Sequence, residues 1–247
     1  MSDPTMPNIF KRAGRFILDN SIVKLVAYVC SSLPSKDRYT VLDELERRTV
    51  ADCAEYAQQN MSKALSFANA EGVWGHALSK RTVSGLLMEF GVWKGRSINY
   101  FANRVRETIY GFDSFEGLKE DWSGWGFAKG AFDLGGKLPK VENNVTLIKG
   151  WFDQTLPGFL VEHQQPLSLL HVDCDTYESA KIVLDLVDSR ILPGTVIIFD
   201  EYFGYRGWRT GEFKTWQEFV DKRGIEYEYL AFSVESVSLV VTSRKPV

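Results

Sequence analysis

Cysteine is scarce in this chain of 247 residues, and the three present, Cys30, Cys53 and Cys174, are odd in number and far apart without metal-ligand spacing. That argues against a disulfide framework or a cysteine zinc site and fits a reducing, cytoplasmic setting. Basic runs are also lacking. No stretch of lysine or arginine exceeds two residues and the formal net charge is −3, so the electrostatic footprint that nucleic acid requires is missing. The longest apolar stretch, Ile22 to Cys30, is broken by Lys24 and is too short to span a bilayer. Lys11, Arg12 and Arg15 precede it in the manner of a signal peptide, but Lys24 interrupts the apolar region and Ser31-Ser32-Leu33-Pro34 is a poor cleavage site. Repeats and low-complexity segments are absent too. What remains is the composition of a globular protein whose partner is a small molecule.

The length suffices for one sizeable core. Residues from about 8 to 33 and from about 40 to 70 carry helical spacing, separated by Pro34 and Ser35. In the second of these, Val41, Leu42, Leu45, Val50, Cys53, Tyr56 and Met61 form one apolar side. From Leu86 the texture changes to short runs rich in branched and aromatic residues, alternating with helical segments. Strands are expected at Leu86–Phe90, Thr108–Phe112, Val145–Ile148, Ser168–Val172, Thr195–Phe199, Glu226–Leu230 and Ser236–Thr242, and helices near Ser97–Arg104, Thr176–Ser189 and Gly211–Arg223. This alternation predicts an α/β protein with a mostly parallel seven-stranded sheet covered on both faces. The last two strands, joined by the turn Ala231–Glu235, read as an antiparallel C-terminal hairpin at the sheet edge. Residues 1–80 form an N-terminal helical extension and 81–247 the catalytic domain. The extension has no obvious catalytic residue and is expected to cover the site or to pack against a second copy in a homo-oligomer.

In parallel sheets ligands gather outside the carboxyl ends of the strands, so the residues just after each strand carry the functional reading. Gly85 to Ser97 reads as a strand breaking into a glycine turn and a helix: Glu89 closes the strand, Gly91 and Gly95 allow tight turning, and Ser97 is placed to cap the helix. Asp113 directly follows the second strand, 22 residues beyond Gly91, where a carboxylate can take ribose hydroxyls. Gly150 and Trp151 follow the third strand with a close-approach glycine and an aromatic face. The fourth ends in Asp173-Cys174-Asp175 and the fifth in Asp200-Glu201. Four carboxylates in one cleft repel one another and raise one another's pKa values, a conflict that a hard divalent cation such as Mg²⁺ resolves while one acid stays free as a base. Singly, each of these residues has a plainer role as turn, cap or core.

Five blocks taken together are more specific: Glu89-Phe-Gly-Val-Trp-Lys-Gly-Arg-Ser97, Gly111-Phe-Asp-Ser-Phe-Glu-Gly117, Lys149-Gly-Trp-Phe-Asp-Gln-Thr-Leu-Pro157, His171-Val-Asp-Cys-Asp-Thr-Tyr-Glu-Ser179 and Pro193-Gly-Thr-Val-Ile-Ile-Phe-Asp-Glu-Tyr202. In this order they resemble the class I S-adenosylmethionine-dependent O-methyltransferases of the macrocin O-methyltransferase type, which act on sugars of antibiotics. The resemblance implies a Rossmann-like methyltransferase fold. It further implies that Glu89, Gly91, Gly95 and Ser97 surround the methionine end of S-adenosyl-L-methionine, that Asp113 holds the ribose, and that Ser114, Gly150 and Trp151 line the adenine side. Asp173, Asp200 and Glu201 look like the Mg²⁺ ligands, with Asp175 as the base, although Asp173 and Asp175 leave the same strand end and the two roles stay interchangeable. Two departures bear on the metal: many relatives have Asp-Asp where this chain has Asp200-Glu201, and some have a late histidine that is missing here.

The segment Leu118–Pro139, with Trp122, Trp125 and Phe127, is long and irregular and reads as a lid that packs on an apolar face of the acceptor. Tyr205, Arg206 and Trp208 lie in a second loop just after Glu201 and read as acceptor contacts. Two other readings stay open. A nicotinamide-dependent oxidoreductase shares the strand, turn and acid, but Trp93 occupies the place of its middle glycine. A non-catalytic nucleotide-binding protein of the same fold would leave four clustered acids as a stability cost with no return.

Overall fold

The computed structural model describes residues 39–245. The helix expected from about 8 to 33 lies outside those residues, as does Cys30. The chain divides into two compact units, Met1–Glu44 and Leu45–Val247. In the first, Thr40 opens helix α1 (Val41–Asn60): its hydroxyl accepts from the Asp43 N–H at 3.2 Å, while its own N–H donates to Asp43 Oδ2 at 2.7 Å. This reciprocal pairing satisfies backbone donors that a helix start leaves free.

The second unit contains the rest of α1, strand β1 (Leu65–Ser66), helix α2 (Ala70–Ser79) and the large sheet. The single helix expected over 40–70 therefore stops at Asn60, and a new one starts at Asn69, whose side chain accepts the Gly72 N–H at 3.1 Å. The apolar side expected for α1 is only half used. Cys53 and Met61 are buried, whereas Val41, Leu42, Leu45 and Val50 are exposed.

The remaining elements are β2 (Leu86–Phe90), α3 (Arg96–Ala102), β3 (Ile109–Asp113), β4 (Val145–Lys149), α4 (Phe152–Glu162), β5 (Leu167–Val172), α5 (Tyr177–Val187), β6 (Val196–Phe199), α6 (Glu212–Arg223), β7 (Ile225–Phe232) and β8 (Val237–Arg244). Helix α4 was not anticipated, because Pro157 inside it lacks an N–H and speaks against helix.

The sheet order is β1-β7-β8-β6-β5-β2-β3-β4, with β8 antiparallel to both neighbours and every other pairing parallel. Eight strands are present rather than seven. The C-terminal hairpin is there, but β8 is its inner strand and the two-residue β1 caps the edge beyond β7. Every residue of β2, β5 and β6 is buried, as expected of strands covered on both faces.

Alternation along β2 decides which residues sit under the site. Leu86, Met88 and Phe90 point into one apolar layer, where Phe90 stacks on Phe112 at 4.9 Å, while Leu87 points into the other with Trp74, Ile98 and Phe101. Glu89 shares the face of Leu87 and is therefore committed to a buried layer.

Candidate active site

The carboxyl ends of β2, β3, β5 and β6 open into a cleft of about 810 Å³. Its floor is tightly built. Gly91 has φ +90°, and a Cβ there would lie 1.5 Å from the Asp173 carbonyl oxygen, so β2 and β5 approach closely only because this residue is glycine. Gly95, at φ +80°, precedes α3 as its cap with no side-chain bond. Ser97 does not cap that helix; its hydroxyl donates to Glu89 Oε1 at 3.0 Å. The Val92 and Trp93 N–H groups donate to Asp113 Oδ2 at 2.8 and 2.7 Å, and the Phe115 N–H donates to Oδ1 at 2.7 Å. A carboxylate offers about four acceptor positions, so Asp113 holds the glycine turn and keeps little capacity for a ligand.

Of the residues expected at the cofactor, Gly91, Ser97, Asp113, Ser114 and Trp151 line the cleft, and Glu89, Gly95 and Gly150 do not. Glu89 lies beneath it, wholly buried, with Oε2 at 2.9 Å from His171 Nδ1. Burial pushes the Glu89 carboxyl up, partly offset by His171. Burial works against charge on the His171 ring, yet Asp200 and Glu89 outweigh it and hold the imidazole well above its ordinary range. His171 was not assigned a role from the sequence. The signal lies in strand pairing, since Glu89 and His171 are register partners across β2 and β5.

Asp173, Asp175, Asp200 and Glu201 all line the cleft. Among the described residues, Asp173, Asp175 and Glu201 each offer an oxygen within 4.8 Å of the others. Asp200 is not in that group. Its Oδ1 accepts from Trp74 Nε1 at 3.3 Å and lies 3.8 Å from His171 Nε2. The grouped acids are oxygen donors suited to a hard divalent cation, and Glu201 Oε2 is buried with no hydrogen-bond partner. The donor set thus fits such an ion.

Electrostatics single out the same residues. Burial first, then Asp200 and Asp113, raise the Asp175 carboxyl to about 8. Burial and neighbouring acids push Asp173 and Glu201 well above the carboxylate range. Asp175 also has φ +68°, inside a tight turn closed by the Thr176 N–H donating to the Cys174 carbonyl at 2.7 Å. A non-glycine residue held there stores backbone strain of a kind concentrated at functional sites. Glu212 belongs to the same group and went unnoticed in the sequence, where it reads as an ordinary acid in a first helical turn. It is wholly buried, accepts from the Cys174 and Glu201 N–H groups at 3.3 and 3.4 Å, and is raised to about 8 by burial and Asp175.

Two loops roof the cleft. Trp122 is buried between Phe127 at 5.8 Å and Tyr205 at 5.9 Å, and Trp125 stacks on Tyr205 at 5.9 Å. A Cβ on Gly124 would fall 2.2 Å from the Gly207 nitrogen, so the segment expected as a lid is interlocked with the loop after Glu201. Of the three acceptor contacts expected in that loop, Tyr205 packs on the roof but neither it, Arg206 nor Trp208 is among the lining residues. Trp208 is buried against Phe213 at 4.7 Å, with its Nε1 donating to Asp52 at 3.1 Å.

A family model described as a methyltransferase domain matches residues 88–202, and all five motif blocks lie within that span. Residues 88–202 are thus similar to a methyltransferase domain, and the sheet that carries them is Rossmann-like. Among curated proteins, the 8-demethyl-8-(2,3-dimethoxy-alpha-L-rhamnosyl)-tetracenomycin-C 4'-O-methyltransferase of Streptomyces olivaceus is 28% identical over 147 residues, or 49% of this chain and 54% of that protein. The match thus spans about half the length of that relative. Among solved structures, the calicheamicin methyltransferase CalS11 aligns with 82% of this chain and 94% of its own at 21% identity and a TM-score of 0.56. Its apo form, named a TDP-rhamnose 3'-O-methyltransferase, gives 0.50 over 85% of this chain and 98% of its own at 21% identity. The O-methyltransferase NovP gives 0.50 over 70% and 78% at 22% identity. These likenesses establish the fold. Among the described residues, no helix is long and apolar enough to cross a membrane.

Proposed function

We propose that this protein transfers the methyl group of S-adenosyl-L-methionine to a hydroxyl of a small molecule, a sugar or glycosylated natural product, with a divalent cation assisting. The observation that carries this reading is the gathering of Asp173, Asp175 and Glu201 in a cleft that the β2 to α3 turn also lines. The five motif blocks and the curated relative's 4'-O-methyl transfer to a rhamnosyl-tetracenomycin support it.

In the proposed reaction the acceptor oxygen attacks the sulfonium methyl carbon in line, the carbon–sulfur bond breaks, and S-adenosylhomocysteine leaves. The sulfonium is already a strong donor, so the protein's work is alignment and removal of the hydroxyl proton. Asp175 takes that proton. In the metal-free chain a base held near 8 is mostly protonated at neutral pH, and a cation bound beside it would lower that value and free the base. Asp173 and Glu201 would hold Mg²⁺, which when bound neutralises the acids and lowers the pKa of the acceptor hydroxyl. Asp200 is oriented by Trp74 and His171 beside them. Gly91, Ser97, Ser114 and Trp151 form the cofactor side, and Asp113 acts chiefly by fixing the glycine turn.

A nicotinamide reading fits less well. Trp93, at φ +44°, fills the position where a dinucleotide pyrophosphate needs a bare backbone. The test is incubation with labelled S-adenosyl-L-methionine and a panel of glycosylated acceptors, with and without chelator. Label in an acceptor, lost on chelation, is expected. Stabilisation by NAD with none by S-adenosylhomocysteine would overturn the reading.

A further inference from the structure

Resting on that methyltransferase reading, we infer that Asp52 of α1 is a positioning residue for the acceptor: it anchors the loop 202–211 from behind and thereby sets the roof over the acid cluster. Asp52 lies well before residues 88–202, and no motif block contains it. The geometry of the anchor and the keying of the loop into the roof carry this.

Three donors converge on the Asp52 carboxylate. Arg209 Nε and Nη2 donate to its two oxygens at 2.8 and 2.7 Å, and Trp208 Nε1 donates to Oδ2 at 3.1 Å. The guanidinium also lies 4.2 Å over the Trp208 ring, so ring, fork and carboxylate fix one another's direction. Arg209 holds the Asp52 carboxyl below its ordinary range, which keeps the pair charged. Close by on α1, Cys53 Sγ accepts the Gly204 N–H at 3.3 Å, and Tyr56 meets Trp208 edge-on at 5.5 Å. The helix therefore grips the loop at Gly204 and again at Trp208 and Arg209. Asp52 and Arg209 are half exposed, and exposed ion pairs add little to global stability. A bidentate fork on an aromatic platform fixes position instead.

The loop passes that position on. Gly207, next to Trp208, lies so close to the roof that a Cβ on it would fall 2.2 Å from the Ser123 carbonyl oxygen. Tyr205 meets Trp122 and Trp125 at 5.9 Å each. At the other end of the loop, a Cβ on Gly204 would fall 2.4 Å from the Val234 carbonyl oxygen, in the turn between β7 and β8. Backbones packed this closely have no slack, so a displaced Trp208 displaces the roof. The cofactor side is held separately, because the turn after β2 hangs on Asp113 through the Val92 and Trp93 amides. Loss of Asp52 is therefore felt at Trp122, Trp125 and Phe127, which line the cleft from the roof, and spares the cofactor.

The test is hydrogen exchange on the full chain and on Asp52→Ala, with S-adenosylhomocysteine calorimetry and acceptor kinetics on the same preparations. In the variant the Trp122 and Trp208 amides, which donate to the Phe127 and Tyr205 carbonyls, should exchange about tenfold faster. Exchange in the β2 to α3 turn and S-adenosylhomocysteine affinity should stay within about twofold. The KM of whichever glycosylated acceptor takes label should rise about tenfold, with kcat within about threefold. Arg209→Lys keeps the charge and loses the fork, so it should move exchange and KM in the same direction by less. Melting temperatures show that the variants fold, and Arg209→Lys decides alone if Asp52→Ala does not. Unchanged exchange at the roof, an equal rise at the roof and the β2 to α3 turn, or a loss in kcat at unchanged KM would each overturn the inference and leave methyl transfer standing. An unmutated chain that labels no acceptor and binds no S-adenosylhomocysteine would instead remove the methyltransferase reading, while exchange still decides whether Asp52 anchors the roof.

Discussion

Two buried polar clusters lie in the larger unit, and they answer burial in opposite ways. Between α1 and β7 the hydroxyls of Tyr56 and Tyr202 each meet that of Tyr229 at 2.6 Å, Tyr227 meets it at 3.2 Å, and Gln217 Nε2 donates to Tyr202 and Tyr227 at 3.1 and 3.0 Å. A hydroxyl both donates and accepts, so these groups satisfy one another, and burial raises Tyr56, Tyr202 and Tyr229 further into the neutral form. The carboxylates at the ends of β5 and β6 can only accept when charged. Asp173, Asp175 and Glu201 gather there with Glu212 of α6 beneath them, and burial raises all four. A closed network stabilises the fold, whereas an open one of like charges is a cost that a bound cation or a reaction must offset. The second cluster is where function is to be sought, for a physical reason and not because it is acidic.

The largest expected effect breaks the acid side of this contrast. Asp175→Asn, which removes the proposed base, should lower the methyl-transfer rate by about 10²–10⁴-fold, and Asp200→Asn, beside it, should lower it less, each with S-adenosylhomocysteine affinity nearly unchanged. Rates at saturating cofactor and calorimetric affinities on the same preparations separate the two. Full activity in both variants would show that the cluster is not the chemical centre.

The tyrosine side should respond in stability alone. Tyr229→Phe removes the hydroxyl on which three others converge, and leaving buried partners unpaired costs about 1–3 kcal/mol. For a chain of this size that is about 2–4 °C of melting temperature per kcal/mol. Methyl transfer below the melting range should stay as it was. A variant that melts normally yet loses activity would tie the network to the site.

The same contrast explains what could be read from the sequence. Strands β2, β5 and β6 were visible because a strand covered on both faces is mostly apolar, and parallel order puts the polar residue that follows each strand at one end of the sheet. Hence Gly91, Ser97, Asp113, Ser114, Trp151 and the four acids, all expected at strand ends, line one cleft. What the sequence hid is depth and pairing. Glu89 sinks below the cleft because of its parity with Leu87, and its partner His171 lies on a strand adjacent only through register. Trp74 reaches Asp200 from a helix outside every motif block. Asp113 was correctly placed at its turn, but one sequence cannot reveal that backbone amides already use its oxygens. The hairpin order and the break in the 40–70 helix depend likewise on what each segment packs against.

The smallest effect is also the most diagnostic, because it uses the sign of the pKa shifts. Asp175 and Glu212 are held at about 8 in the folded chain, against roughly 4 for such groups in an unfolded one. Between those values the folded state binds protons that the unfolded state does not, so the metal-free protein should gain stability as pH falls from about 8 towards 5 and lose it as pH rises. Glu212→Gln removes one of these titrations and keeps one oxygen to accept from the Cys174 or the Glu201 N–H, giving up the other of these two long bonds. Its melting temperature in chelator at pH 8 should therefore exceed that of the unmutated chain by a few degrees, about 2–4 °C for each kcal/mol relieved, and should vary less with pH. Mg²⁺ at pH 8 should reproduce part of what protons do at pH 5, since both relieve the same repulsion. Melting curves across this range, with and without chelator, decide the matter: a stability that rises with pH in the metal-free protein would mean the acids are held apart or paired in solution, and the cluster would then belong with the tyrosines as a settled part of the fold.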